Sequence, residues 1–319
     1  QIVKEVLDLN SNIPEIFQQY ILDEHDLISL KDALNKIHFS NGIGELNQAI
    51  HRLKFDEHFF LQLLMALRKR SLQHSGALPL SDIGPYFKLI SETLDFELTD
   101  AQKKVIKEIH SDLKNSVPMN RLLQGDVGSG KTIVSILISA LAVGNNAQVA
   151  MMVPTEILAT QHFHSFKSEL EKVNIPCALL VGNMKKLDRS PILAGLENGK
   201  IPMVIGTHAL IQEDVNFKNL GLVIVDEQHR FGVNQRAKLV EKGNNPHFLA
   251  MTATPIPRTL SITYHGDMDL SIIDEMPANR IPVVTKVVEP SRLGKVYKFI
   301  KDEVAAGRQC MVIYPLVEE

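Results

Sequence analysis

Tryptophan is absent from the 319 residues, cysteine occurs twice, and aromatic residues make up only 6%. Cys177 and Cys310 are too few for a disulfide framework and neither sits in a C-x-x-C pair, which excludes small secreted scaffolds and points to a reducing cytoplasm. No unbroken apolar run approaches the roughly 20 residues of a membrane-spanning helix, so no membrane partner is expected. Charge of one sign is lacking too: 34 Lys and Arg against 37 Asp and Glu leave a formal net charge of −3. Any nucleic-acid partner must therefore be gripped by local basic groups or backbone N–H groups, not by a general positive field. What remains is globular, 45% apolar and 22% charged, and too long for one comfortable core, so two or more domains are expected.

The most informative stretch is Gly125 to Thr132, which fits G-x-x-x-x-G-K-[ST]. Glycines at 125, 128 and 130 allow a tight turn whose successive N–H groups, with Val127 and Ser129 between them, point into one concavity suited to a polyphosphate. Lys131 supplies a charge for the β- and γ-phosphates, and Thr132 a hydroxyl for Mg²⁺. The apolar pair Leu122 and Leu123 before it and the spacing of Ile133, Ile136, Leu137, Ala140 and Leu141 after it predict a strand and then a helix, whose N-terminus favours anions. The implied cofactors are ATP and Mg²⁺.

Upstream, residues 1–93 read as a helical region with no chemistry of their own. Glu57 to Arg70 is its clearest helix, with Phe60, Leu63, Leu64 and Leu67 on one stripe and a basic triplet, Arg68 to Arg70, at its end. Turn-rich breaks are expected at Asn12–Pro14, Ser40–Gly44 and Gly76–Pro85. Thr99 and Gln102 have capping-box spacing; Gln102 is also placed to pair with the N6 and N7 edge of adenine, the reading preferred here upstream of a phosphate loop.

Downstream, strand and helix alternate: strands near Gln148–Val153, Met203–Ile205, Leu222–Val225 and Phe248–Met251, and a helix over Ile157–Lys172. This implies a parallel sheet flanked by helices, an α/β fold with ligands beyond the C-terminal strand ends. Asp226 and Glu227 end one such strand. Asp226 is the expected Mg²⁺ carboxylate, and Glu227 the base that orients and deprotonates the attacking water. The catalytic set is thus Lys131, Asp226 and Glu227, with the lysine and the acids expected on neighbouring strands. Pro154 and Thr155 end a second strand and Gly206, Thr207 and His208 a third; these are expected to contact nucleic-acid phosphates, with a plain helix cap by either threonine as the alternative. His162 and His164 read as surface residues.

Gly125 to Thr132, Asp226 to Val233 and Met251 to Arg258 resemble motifs I, II and III of superfamily 2 helicases in the form typical of the RecG family. Phe96 to Gln102 resembles its Q motif, Pro154 to Gln161 its motif Ia and Gly206 to His208 its motif Ib. The resemblance implies ATP-driven movement on duplex DNA that remodels branched DNA such as stalled forks, with Phe96 and Gln102 at the base. It also implies that His229, Thr252, Thr254 and Arg258 couple nucleotide state to DNA grip. The resemblance further implies a RecA-like α/β fold of the phosphate-loop NTPase kind, in which residues 94–282 are the first motor lobe and 283–319 the start of a second, as strand, helix and strand. The chain begins at Gln1 and stops soon after Met311–Tyr314, so it reads as a fragment of a monomeric enzyme whose wedge domain and remaining second lobe are missing. As a fragment it is expected to hydrolyse ATP poorly. A non-catalytic nucleotide-binding module and a polypeptide-translocating motor are the alternatives.

Overall fold

The structure, a computed structural model, describes residues 2–9, 12–72, 76–227, 230–254, 268–277 and 283–313. The chain divides into two units, Gln1–Pro277 and Ala278–Glu319. The helices expected as a region of their own therefore fall in the same unit as the sheet.

That unit opens with α1 (Ile2–Leu9), α2 (Gln19–Glu24), α3 (Leu30–Phe39), α4 (Ile43–Leu72) and α5 (Gly84–Glu92). The break expected at Ser40–Gly44 is shorter than that, because Ile43 and Gly44 already belong to α4. Phe17, Leu22 and Leu27 form a small core against Phe55 and Phe59 of α4. Arg52 lies within it, fully buried, paired with Glu15 and Asp56 and donating to the carbonyl of Ile28. Helix α4 thus turns Phe55 and Phe59 inward, whereas the stripe of Phe60, Leu63, Leu64 and Leu67 is exposed.

The sheet contains β1 (Asn120–Gly125), β2 (Gln148–Met152), β3 (Cys177–Leu180), β4 (Met203–Gly206), β5 (Leu220–Asp226), β6 (His247–Thr252) and β7 (Asp269–Ile273). Its order is β3-β4-β2-β5-β6-β1-β7, with every pairing parallel. Runs such as Leu222 to Val225 suit strands covered on both faces. On one face α6 (Asp100–Leu113), α7 (Lys131–Gly144) and α8 (Glu156–Glu171) pack Ile109, Leu137 and Phe166 over Leu123, Met151, Leu222 and Leu249. On the other, α9 (Lys186–Glu197) and α10 (Val233–Val240) set Leu196 and Leu239 against Leu122, Met152, Val223 and Ala250. Helix α7 is buried nearly all round, which explains its almost wholly apolar sequence. The short strands β3 and β7 form the two edges and were not anticipated.

One expectation about the sheet is corrected. The phosphate-loop strand β1 and the acid-bearing strand β5 are not neighbours; β6 pairs with both, opposing Met251 to Leu123 on one side and to Asp226 on the other. Strand order depends on pairings distant in sequence, which local periodicity does not encode.

In the second unit a 3₁₀ turn at Pro290–Arg292 leads into α11 (Leu293–Ala305). The helix matches the expectation, but the described residues on either side of it form no ladder. A strand needs a partner for its N–H and C=O groups, and none of the unit's described residues supplies one.

Candidate active site

Strand β1 ends at Gly125, the chain turns through Asp126 to Gly130, and α7 begins at Lys131. Gly128 (φ 83°) and Gly130 (φ 90°) adopt left-handed backbone that glycine tolerates best. Space is short at Gly130 as well, since a Cβ there would fall on the Gln102 amide and displace it. The hydroxyl of Ser129 is buried and unpartnered, and Lys131 folds back over the loop, its Nζ donating to the carbonyls of Gly125 (2.6 Å) and Asp126 (2.9 Å). An orphaned hydroxyl, an amine already aimed across the turn and a helix N-terminus behind them suit a polyphosphate. Val127 lies exposed at the tip, and Thr132 is half-buried in the first turn of α7.

Burial lowers the pKa of Lys131, and the charges of Asp226, Glu227 and Asp126 oppose that lowering. The amine is thus within electrostatic reach of both strand-end acids, across the intervening β6. Asp226 is nearly buried. Its Oδ1 accepts from the backbone N–H of Glu227 at 3.0 Å, and its Oδ2 accepts from Nε2 of His162 at 2.9 Å. Glu227 has φ 51°, a left-handed conformation uncommon outside glycine and asparagine, at the point where the strand delivers its carboxylate.

Gln102 forms the capping box. Its Oε1 accepts from Thr99 N, its own N–H donates to Thr99 Oγ1, and its Nε2 donates to Ser129 O at 2.8 Å. The reading as a helix cap is therefore realised, with the added bond to the phosphate loop; one amide hydrogen and one lone pair are left over, on a side chain only 1% exposed. Phe96 is exposed, beside Leu98 and Lys103 on a recess of about 620 Å³.

Thr252 ends β6 between the two halves of the site, and its hydroxyl accepts from Thr254 N and lies 3.1 Å from the Thr254 hydroxyl. His229 and Arg258 lie outside the described residues. The expected nucleic-acid residues converge, because β2 and β4 are paired and Val153 N donates to Gly206 O. Thr155 Oγ1 caps α8 by accepting from Leu158 N, next to Pro154. Thr207 is buried with an unpartnered hydroxyl, and His208 is exposed. Gly206 cannot be replaced, since a Cβ there would meet the carbonyl of Leu180.

Two features escaped sequence reasoning. His162 is not a surface residue: it lies three residues after the buried Ala159 and four before the buried Phe166, so helical periodicity marks it as inward-facing. Asp274 and Glu275, which the resemblance places only in the segment passing between motor lobes, follow the strand Asp269–Ile273 much as Asp226 and Glu227 end theirs. They line a recess of about 250 Å³ with Gln124 and Gly125, and Glu275 accepts from Ala101 N at the start of α6.

The family model described as DEAD/DEAH box helicase matches residues 99–262. The "ATP-dependent DNA helicase RecG" of Synechocystis is 47% identical over 302 residues, covering 94% of this chain and 36% of that protein. Its counterpart from Thermotoga maritima is 44% identical over 316 residues, covering 99% and 40%. A solved structure described as "Structure of RecG bound to three-way DNA junction" superposes with a TM-score of 0.83 at 42% identity, covering 96% of this chain and 41% of that one. The chain thus spans well under half the length of these relatives.

Proposed function

The chain belongs to the DEAD/DEAH box helicase family, and on that footing we propose that it is the ATP-binding part of a motor that remodels branched DNA. The observation that supports this is that β6 pairs with both the phosphate-loop strand and the strand ending in Asp226 and Glu227, whose charges act on the Lys131 amine; in this reading the three supply a phosphate cation, a metal carboxylate and a base. In this reading the loop N–H groups and Lys131 bind the triphosphate. Mg²⁺, when held by Thr132 and Asp226, would neutralise charge developing on the β- and γ-phosphates. Glu227 orients and deprotonates water, and the free amide hydrogen and lone pair of Gln102 meet adenine beside Phe96.

Pro154, Thr155, Gly206, Thr207 and His208, at the paired ends of β2 and β4, form the surface for DNA phosphates. Thr252, Thr254, His229 and Arg258 relay nucleotide state to it. Residues 1–93 would then be a linker, 94–282 the first lobe and 283–319 the start of the second. The enzyme would work as a monomer in the cytoplasm, with a wedge domain and the rest of the second lobe supplied by the same polypeptide. Similarity to RecG helicases favours DNA over a polypeptide as the track, and Glu227 beside Asp226 favours catalysis over a silent binding module.

The test is ATPase activity of the full-length protein on forked, linear duplex and single-stranded DNA. Forked DNA should stimulate most, and Glu227→Gln should abolish turnover while retaining nucleotide. Equal rates with and without any DNA, or turnover unchanged by Glu227→Gln, would overturn the proposal.

A further inference from the structure

We propose that His162 is a positioning residue that sets the Asp226 carboxylate for a divalent cation. The inference rests on the reading of Asp226 as the metal carboxylate. Each oxygen of Asp226 already accepts one hydrogen bond, Oδ1 from Glu227 N at 3.0 Å and Oδ2 from His162 Nε2 at 2.9 Å. These two donors, one on either oxygen, fix the plane of the carboxylate and leave a lone pair on each for a cation. Metal-binding side chains are commonly oriented in this way by a hydrogen-bonded partner behind them.

The pair is not an incidental surface contact. The side chains are 11% and 12% exposed, and the His162 ring sits edge-on to the buried Phe166 at a centroid distance of 6.4 Å. The imidazole is therefore held by packing on one side while it holds Asp226 on the other. Its helix, α8, is capped by Thr155 at the candidate DNA surface and follows β2, which pairs directly with β5. Two helical turns separate that cap from the donor to Asp226. The helix thus joins the two candidate sites as one rigid element, independently of the Thr252 and Thr254 route.

Binding of a fluorescent ATP analogue, measured with Mg²⁺ and with EDTA, tests this on wild type, His162→Ala, His162→Gln and Asp226→Asn, with thermal melts to verify folding. The Mg²⁺-dependent part of the affinity should fall about tenfold in His162→Ala. Affinity in EDTA should hold, since Lys131 and the loop are untouched. His162→Gln, whose amide nitrogen can stand where Nε2 stood, should recover most of the loss, and Asp226→Asn should lose the Mg²⁺ dependence entirely.

Wild-type Mg²⁺ dependence in His162→Ala, with Asp226→Asn defective, would overturn the role of His162 alone. So would a folded His162→Gln as damaged as the alanine variant, or as weak as Asp226→Asn should the alanine variant not fold. Wild-type behaviour in Asp226→Asn would instead overturn the metal reading beneath it.

Discussion

Gln102 donates its side-chain amide to the carbonyl of Ser129 at 2.8 Å while its oxygen caps α6, so a helix start and the phosphate loop are joined through one buried side chain. Replacing it with alanine removes both bonds and leaves Thr99 N without its acceptor. Gln102→Ala should cost roughly 1–2 kcal/mol in urea unfolding and weaken nucleotide binding more than any exposed change on α6. An unaltered nucleotide affinity would show that the loop keeps its shape without this tie.

Gly130 is constrained by backbone and by space together. In Gly130→Ala the methyl group must displace the Gln102 amide and occupy a left-handed conformation. Nucleotide affinity should fall by at least about tenfold, the equivalent of ~1.4 kcal/mol. Gly42→Ala, where a Cβ meets nothing nearby, should leave binding unchanged. The comparison can be read from a titration with a fluorescent nucleotide.

Acid should loosen the helical segment as pH falls below about 4.5. Burial opposes ionisation of Glu15, but Arg52 and the backbone N–H groups of Leu30, Phe17 and Ile16 outweigh it and hold its pKa at about 2, below the ordinary 4.5. A depressed carboxylate pKa contributes stability that is complete above about 4.5 and is lost as pH falls towards 2. Hydrogen exchange in α4 should accelerate over that window, and Glu15→Gln should flatten the dependence. Arg52→Met leaves Glu15 and Asp56 without their buried cation and should destabilise by about 3 kcal/mol.

His247 imposes a second pH dependence with a different midpoint. Its Nδ1 accepts from Met119 N at 3.0 Å and its Nε2 donates to Leu78 O at 2.8 Å, so the bonded ring is neutral. Burial lowers its pKa, against the Leu78 carbonyl and Asp112. The unfolded chain therefore takes up a proton below about 6.5 that the folded chain resists, and stability should decline as pH drops from there to the folded pKa. Urea midpoints should show this slope in wild type and not in His247→Phe. That variant should also lose roughly 1–3 kcal/mol at neutral pH, because Met119 N loses its acceptor.

Much of the site was legible because its signals are local. The spacing from Gly125 to Thr132 specifies a turn before a helix, and an apolar run ending in Asp226 and Glu227 specifies carboxylates at a strand end. The edge strands β3 and β7 were not legible, since Cys177–Leu180 and Asp269–Ile273 are short and only partly covered. Nearness of two histidines to a helix start does not reveal His162's place; the inward phase set by Ala159 and Phe166 does.

Local pattern is enough to mark the residues suited to phosphate, to a metal or to a proton, and the alternation of helices with strands buried on both faces, because these depend on neighbours within a turn or two. Three relationships come from folding instead: β6 separates Lys131's strand from that of Asp226 and Glu227, Gln102 reaches Ser129 and His162 reaches Asp226. Those relationships arise from parallel pairing and helix docking between segments far apart in the chain, where the order of packing, and not the residue pattern of any one segment, selects the partner.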